Sequence, residues 1–183
     1  MADMNSCIEK VLIDENKISE LVKKVGKQIS EDYKDKKLVL VSVLKGSVVF
    51  MADLMRAISI PCEIDFMVVS SYGSGTRTSG KVQIVKDLGI DIKGYDVILV
   101  EDILDSGVTL STLKQMLEIR NPASIKICTF LDKPERRIAD IKPDYVGTEV
   151  PDEFVVGYGL DFDEKFRNLP YVGILKRECY CNE

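Results

Sequence analysis

From Val97 to Thr109 the chain reads Val-Ile-Leu-Val-Glu-Asp-Ile-Leu-Asp-Ser-Gly-Val-Thr, so Glu101, Asp102 and Asp105 stand between an apolar run and a Ser106-Gly107-Val108-Thr109 turn. A glycine at a strand-to-helix turn lets backbone approach a ligand, and the helix start that follows offers unpaired N–H groups and a positive dipole end to an anion. Ser106 and Thr109 add hydroxyl donors, so a phosphate is well served here. Two adjacent carboxylates would repel that phosphate unless something lies between, and a ribose with two free hydroxyls is a fitting spacer. Carboxylates accept hydrogen bonds from hydroxyls, and they stabilise the positive charge that develops on a sugar ring as its C1 leaving group departs. Taken singly, each residue reads as an ordinary helix cap or a solvated acid. Strand, acidic pair, Asp-Ser-Gly-x-Thr turn and helix together point to a sugar-phosphate site.

Composition narrows the chemistry further. The 183 residues contain no histidine, which excludes Ser-His and Cys-His nucleophilic pairs and the commonest zinc ligand sets. Acid/base work falls to carboxylates, Lys or Tyr, and any metal is expected to be a hard, oxygen-liking ion such as Mg²⁺. The five cysteines form an odd, scattered set with no CxxC pair, which reads as reduced thiols. A formal net charge of −5 gives no general attraction to nucleic acid or to an anionic membrane surface. Residues 1–14 carry no apolar stretch of signal-peptide length and no membrane-length apolar run occurs, so a cytoplasmic location is expected.

These residues must be held by something, and the hydrophobic pattern says what. Ile18, Leu21, Val22, Val25 and Ile29 repeat at helical spacing between Asn16 and Tyr33. The run Leu38 to Val43 is apolar without alternation, as a strand buried on both faces should be. Lys45-Gly46 breaks it before a second helical stretch through Phe50, Leu54 and Met55. Further strands are expected at 64–69, 82–85, 97–100, 125–130, 145–147, 154–156 and 172–175. The clearest unit is strand 97–100, loop 101–107, helix 108–120 and strand 125–130, the βαβ arrangement of a parallel sheet, whose ligands bind beyond the carboxyl ends of the strands. The glycine-rich segment 70–80 reads either as a lid or as a loose hairpin connection. The length suits one domain, 1–183.

The 97–109 segment resembles the phosphoribosyl-pyrophosphate signature of the type I phosphoribosyltransferases. The resemblance continues through Leu44-Lys-Gly-Ser47, Ser71-Tyr-Gly73, Leu131-Asp-Lys-Pro134 and Phe154-Val-Val-Gly-Tyr-Gly-Leu-Asp161 to Phe166-Arg167. It covers about residues 10–178 and is nearest the short bacterial hypoxanthine-guanine branch. It implies an α/β fold with a parallel-rich central sheet flanked by helices, and a small hood over the base formed by about 1–15 and 145–178. It implies Mg²⁺-dependent transfer of phosphoribosyl from phosphoribosyl pyrophosphate to hypoxanthine or guanine, yielding IMP or GMP and pyrophosphate, by a homodimer or homotetramer.

Residue by residue, the resemblance implies that Glu101 and Asp102 contact the ribose hydroxyls and Mg²⁺, and that Asp105 is the general base/acid at purine N7. Asp105, Ser106, Gly107, Val108 and Thr109 would hold the 5-phosphate. On the purine side, Phe154 would stack on the base, Lys133 would donate to O6, Val155 would offer its main chain, and Asp161 would serve both Mg²⁺ and the base. Lys45, Gly46 and Arg167 would bind pyrophosphate, with a cis peptide before Lys45, while Ser71 and Tyr72 would close over the reacting centre. A nucleic-acid-binding regulator sensing the same sugar phosphate is the rival from another class, and it lacks basic surface. Adenine is a poorer fit than a 6-oxopurine, because its 6-amino donor would meet the Lys133 donor.

Overall fold

The computed structural model of the protein describes residues 4–71 and 82–180, with Ser71 and Val82 defined by their backbone alone. The main sheet contains β2 (Leu38–Leu44), β3 (Glu63–Ser71), β4 (Val82–Lys86), β5 (Asp96–Leu104), β6 (Ser124–Asp132) and β7 (Tyr145–Glu149), ordered β4-β3-β2-β5-β6-β7. Every neighbouring pair is parallel except β3 with the edge strand β4. The unbroken apolar run of β2 has its cause in this position, since its side chains supply two cores in alternation. Leu38 and Leu40 join one core, with Ile98, Val100 and Phe130. Val39, Val41 and Val43 join the other, with Val97, Leu99 and Ile127.

Helices cover both faces. On one lie α1 (Glu15–Asp32) and α2 (Val48–Ala57), which bring Ile18, Val25, Ile29, Phe50 and Leu54 into the first core. On the other lies α3 (Val108–Glu118), with Leu110, Leu113 and Leu117 in the second. Helix α1 starts where Asp14 accepts the Lys17 N–H at 2.8 Å, an N-cap that satisfies one of the unpaired donors of the first turn. Gly26 lets α1 close on α2, because a Cβ there would run into Ala57.

A second, antiparallel sheet is built from β1 (Ile8–Ile13), β9 (Val172–Leu175) and β8 (Val155–Val156), in the order β1-β9-β8. It is the hood. Tyr158 ties it to the sheet below, donating to Asp53 of α2 at 2.8 Å with its ring 4.8 Å from that of Phe130.

Three sequence expectations are corrected here. The loop expected over 101–107 is shorter, because β5 continues to Leu104 by pairing Glu101, Ile103 and Leu104 with Thr129, Leu131 and Asp132 of β6. Residues 145–149 belong to the main sheet and not the hood, since β7 pairs with β6. Strand β8 begins at Val155 and leaves Phe154 outside it. Strand β1 has no counterpart among the expected strands. Of its six residues Ile13 alone is buried, so its apolar signal is weak. Helix α4 (Arg177–Tyr180) follows β9 and ends the described chain. Among the described residues no helix is long and apolar enough to cross a membrane.

Candidate active site

Strand β5 carries the acidic pair and turns directly into α3, so one stretch of backbone delivers Glu101, Asp102, Asp105 and the Ser106–Thr109 turn. Gly107 takes φ of 77°, a left-handed conformation suited to glycine, and stands at the N-cap of α3. A side chain there would also strike Ile141 and Arg137. The Ser106 hydroxyl accepts weakly from Val108 N–H at 3.5 Å. A pocket of about 170 Å³ opens here, lined by Glu101, Asp105, Ser106, Gly107 and Thr109 among others. Asp105 Oδ1 is enclosed and has no hydrogen-bond partner among the described residues, although Arg136 Nε lies 3.5 Å away.

The parallel register sets Ser42 of β2 beside Val100 of β5, so the segments leaving their carboxyl ends meet. Gly46 rests against Asp102, and a Cβ at that position would collide with the carboxylate. The Leu44–Lys45 peptide is cis, as the resemblance implies. Ser47 is fully buried, donating to Val43 O at 2.5 Å and sharing a 2.7 Å contact with the Ser42 hydroxyl. Burial, with the Asp102 charge beside it, pushes the Glu101 carboxyl well above its ordinary range. Burial likewise pushes Asp102 up to about 6, against its hydrogen bond from Ile103 N–H and the nearby Arg167 charge.

Arg167 lies across from this pair. It donates to Gly159 O at 2.8 Å and pairs with Asp161 at 2.8 Å, while its Nε is buried without a hydrogen-bond partner among the described residues. Lys45 reaches Glu164 at 3.0 Å on the surface. Tyr72 and most of the 70–80 segment lie outside the described residues, and so does the Ser71 side chain.

Beyond Asp105, Lys133 follows β6, its N–H bonded to Leu104 O at 3.0 Å. Read alone, a lysine in a polar loop is expected to be solvated, but this one is only 5% exposed. Its ammonium donates to Glu153 O at 2.9 Å, with Asp152 at 3.8 Å. Phe154 is 37% exposed, and Tyr180 stacks on its ring at 4.8 Å while Phe162 meets it edge-on at 5.7 Å. Val155 is buried in β8.

Tyr180 and Phe162, which share the Phe154 surface, and Arg136, Arg137 and Asp132, which brace the turn, are not among the site residues expected from the sequence. A larger hollow of about 660 Å³ between α1, α2 and residues 167–170 shares Arg167 with the site but contains neither acidic pair nor turn.

The Phosphoribosyl transferase domain model matches residues 12–163. The chain belongs to the phosphoribosyl transferase family. Among similar phosphoribosyl transferases is the hypoxanthine-guanine phosphoribosyltransferase of Staphylococcus epidermidis, 53% identical over 177 residues that cover 97% of this chain and 99% of the relative. The solved hypoxanthine phosphoribosyltransferase of Staphylococcus aureus superposes with a TM-score of 0.96 at 50% identity, covering both chains in full. That of Trypanosoma cruzi, a ternary substrates complex, gives 0.92 at 41% identity over 96% of this chain and 100% of its own.

The phosphoribosyl transferase site fits a hard cation in part. Glu101 and Asp102 are adjacent oxygen donors, neither bonded to a basic side chain among the described residues, and burial raises both carboxyls above their ordinary range. Asp161 is engaged by Arg167 and by Glu164 N–H at 2.9 Å, and no cluster of three or more metal-binding side chains converges among the described residues.

Proposed function

We propose that this chain transfers the 5-phosphoribosyl group from phosphoribosyl pyrophosphate to N9 of hypoxanthine or guanine, yielding IMP or GMP and pyrophosphate in purine salvage. The carrying observation is the continuous β5-turn-α3 segment, which brings Glu101, Asp105 and an anion-ready turn to one small pocket, with Asp102 half-buried beside them against Gly46. In this reading Glu101 and Asp102 accept the ribose hydroxyls and stabilise the charge that grows on the ring as pyrophosphate leaves. The N–H groups and hydroxyls from Asp105 to Thr109 hold the 5-phosphate.

Asp105, with one carboxylate oxygen free of hydrogen bonds among the described residues, serves as base and acid at purine N7. Lys133 keeps two ammonium hydrogens after bonding Glu153 O, enough to reach O6 of a 6-oxopurine. The exposed part of Phe154 supplies a stacking surface, and the Val155 backbone borders it. Lys45, the Gly46 N–H and Arg167 face the leaving pyrophosphate, with Ser71 and Tyr72 closing over the centre.

Mg²⁺ bound by Glu101 and Asp102, with Asp161 as a further carboxylate, would neutralise pyrophosphate charge. The cytoplasmic setting and the homodimer or homotetramer implied by the resemblance belong to the same proposal, and light scattering of purified protein tests the assembly. The deciding experiment mixes the protein with Mg²⁺, phosphoribosyl pyrophosphate and hypoxanthine, guanine, xanthine or adenine, and measures nucleotide and pyrophosphate. Product is expected with hypoxanthine and guanine. No product with either, or a preference for adenine, would overturn the assignment.

A further inference from the structure

The turn between β5 and α3 is held from behind by a segment that follows Lys133. Arg137 donates from Nε to Asp105 O at 2.9 Å, and from its two terminal nitrogens to Ile141 O at 2.7 Å and Leu104 O at 3.2 Å. The nitrogen bonded to Leu104 O also pairs with Asp132. Both side chains are largely buried, Arg137 at 15% and Asp132 at 11% exposure, so the pair is shielded from solvent competition. Backbone N–H groups of Ile138 and Ala139 donate to Ser106 O at 2.9 and 3.0 Å, and that of Lys133 to Leu104 O at 3.0 Å. Leu104 and Ser106 therefore have backbone donors behind them, whereas the Asp105 carbonyl is held by the Arg137 side chain.

The carbonyls of Leu104, Asp105 and Ser106 are thus all drawn toward residues 133–141. In a trans peptide C=O and N–H point in opposite directions. Pulling these carbonyls back turns the N–H groups of Asp105, Ser106 and Gly107 the other way, toward the pocket those three residues line. Successive N–H groups aimed at one concavity make an anion site.

We propose that Arg137, oriented by Asp132, is a positioning residue that sets these peptide planes and thereby the affinity of the turn for a 5-phosphate. A planar fork that reaches several carbonyls at once suits arginine and not lysine. The inference rests on the reading of 105–109 as the 5-phosphate turn. Because Lys133 adjoins Asp132, the bracket also links the phosphate turn to the segment carrying the ammonium of the purine side.

The test compares two ligands that differ only in a phosphate. Dissociation constants of inosine 5′-monophosphate and inosine are measured by calorimetry for the wild type, Arg137→Lys and Asp132→Asn. Their ratio isolates what the turn contributes. In Arg137→Lys the ratio is expected to fall about ten- to a hundredfold, the scale on which loss of a supporting group misplaces a binding site, with inosine binding unchanged. Asp132→Asn, nearly isosteric, is expected to lower it less. If Arg137→Lys gives no folded protein, Asp132→Asn decides by the same ratio. A folded variant that keeps the wild-type ratio, even if both ligands weaken together, would overturn the positioning role. Wild-type protein that binds nucleotide and nucleoside equally would instead overturn the phosphate-turn reading beneath it.

Discussion

One side of the site, residues 104–109, is consecutive backbone leaving a single strand, while the opposite side is gathered from two separate segments, one with Lys133 and one with Phe154 and Asp161. The first side works through peptide groups. Gly107 permits their geometry, and Arg137 with residues 138 and 139 holds their carbonyls from behind. The second works through side chains whose partners already exist: Lys133 on Glu153 O, Phe154 against Tyr180, and Asp161 on Arg167. A backbone site is insensitive to most side-chain changes but depends on its supports. A side-chain site can lose one function with a single substitution and keep its shape.

Asp105 stands where the two sides meet, and its replacement should have the largest effect. Asp105→Asn is expected to lower turnover by about 10²–10⁴, the usual worth of a positioned acid/base group, with little change in phosphoribosyl-pyrophosphate binding. Steady-state turnover equal to wild type would remove Asp105 from the chemistry.

Lys133→Ala should separate the sides cleanly. Losing a charged hydrogen bond of roughly 1.5–3 kcal/mol weakens hypoxanthine and guanine use about ten- to a hundredfold. Phosphoribosyl-pyrophosphate binding measured without purine should stay as it is. An equal loss there would place the ammonium on the wrong side of the comparison.

The acidic pair gives a pH signature. Asp102 titrates near 6 in the fold against an ordinary 3.8, so its folded form favours the proton. The stability this contributes is fully present below the unfolded value and is lost as pH rises through about 6. A bound cation relieves that loss, so Mg²⁺ should raise the melting temperature more at about pH 7.5 than at about pH 5. Thermal scans showing equal gains at both values would separate the pair from cation binding.

The smallest effect is expected from Glu164→Gln, which breaks the exposed contact with Lys45. Such exposed pairs are screened by solvent and contribute little, so chemical denaturation should barely distinguish this variant from wild type. A clear shift of the unfolding midpoint by the same measurement would mean that Glu164 does more than decorate the surface.

Much of the main sheet is legible from periodicity, because a strand buried on both faces can carry no polar alternation, and β2 and the first half of β5 obey this. The polar residues from Glu101 onward hide the second half of β5. Its continuation depends on pairing with β6, a distant segment whose register no local pattern reveals. Strand β1 is hidden for a related reason, as it belongs to a thin sheet with one weakly buried face. On the site itself, the acidic pair and the turn are recognisable because their residue types suit one ligand in one short stretch. Arg137 is not, because apart from Asp132 its partners are main-chain carbonyls at 104, 105 and 141, and a carbonyl leaves no mark on residue identity.

By itself, then, the order of residues determined which chemistry is available: carboxylates without histidine, a glycine at a strand-to-helix turn, and apolar runs that must be covered on both sides. Folding alone decided that Gly46 lies against Asp102, that Lys133 is buried, and that Arg137 fastens the turn from behind. The physical reason is range. Conformational preference and side-chain chemistry act over a few neighbouring residues, whereas burial, desolvation and carbonyl partnership depend on which remote segments the sheet brings side by side.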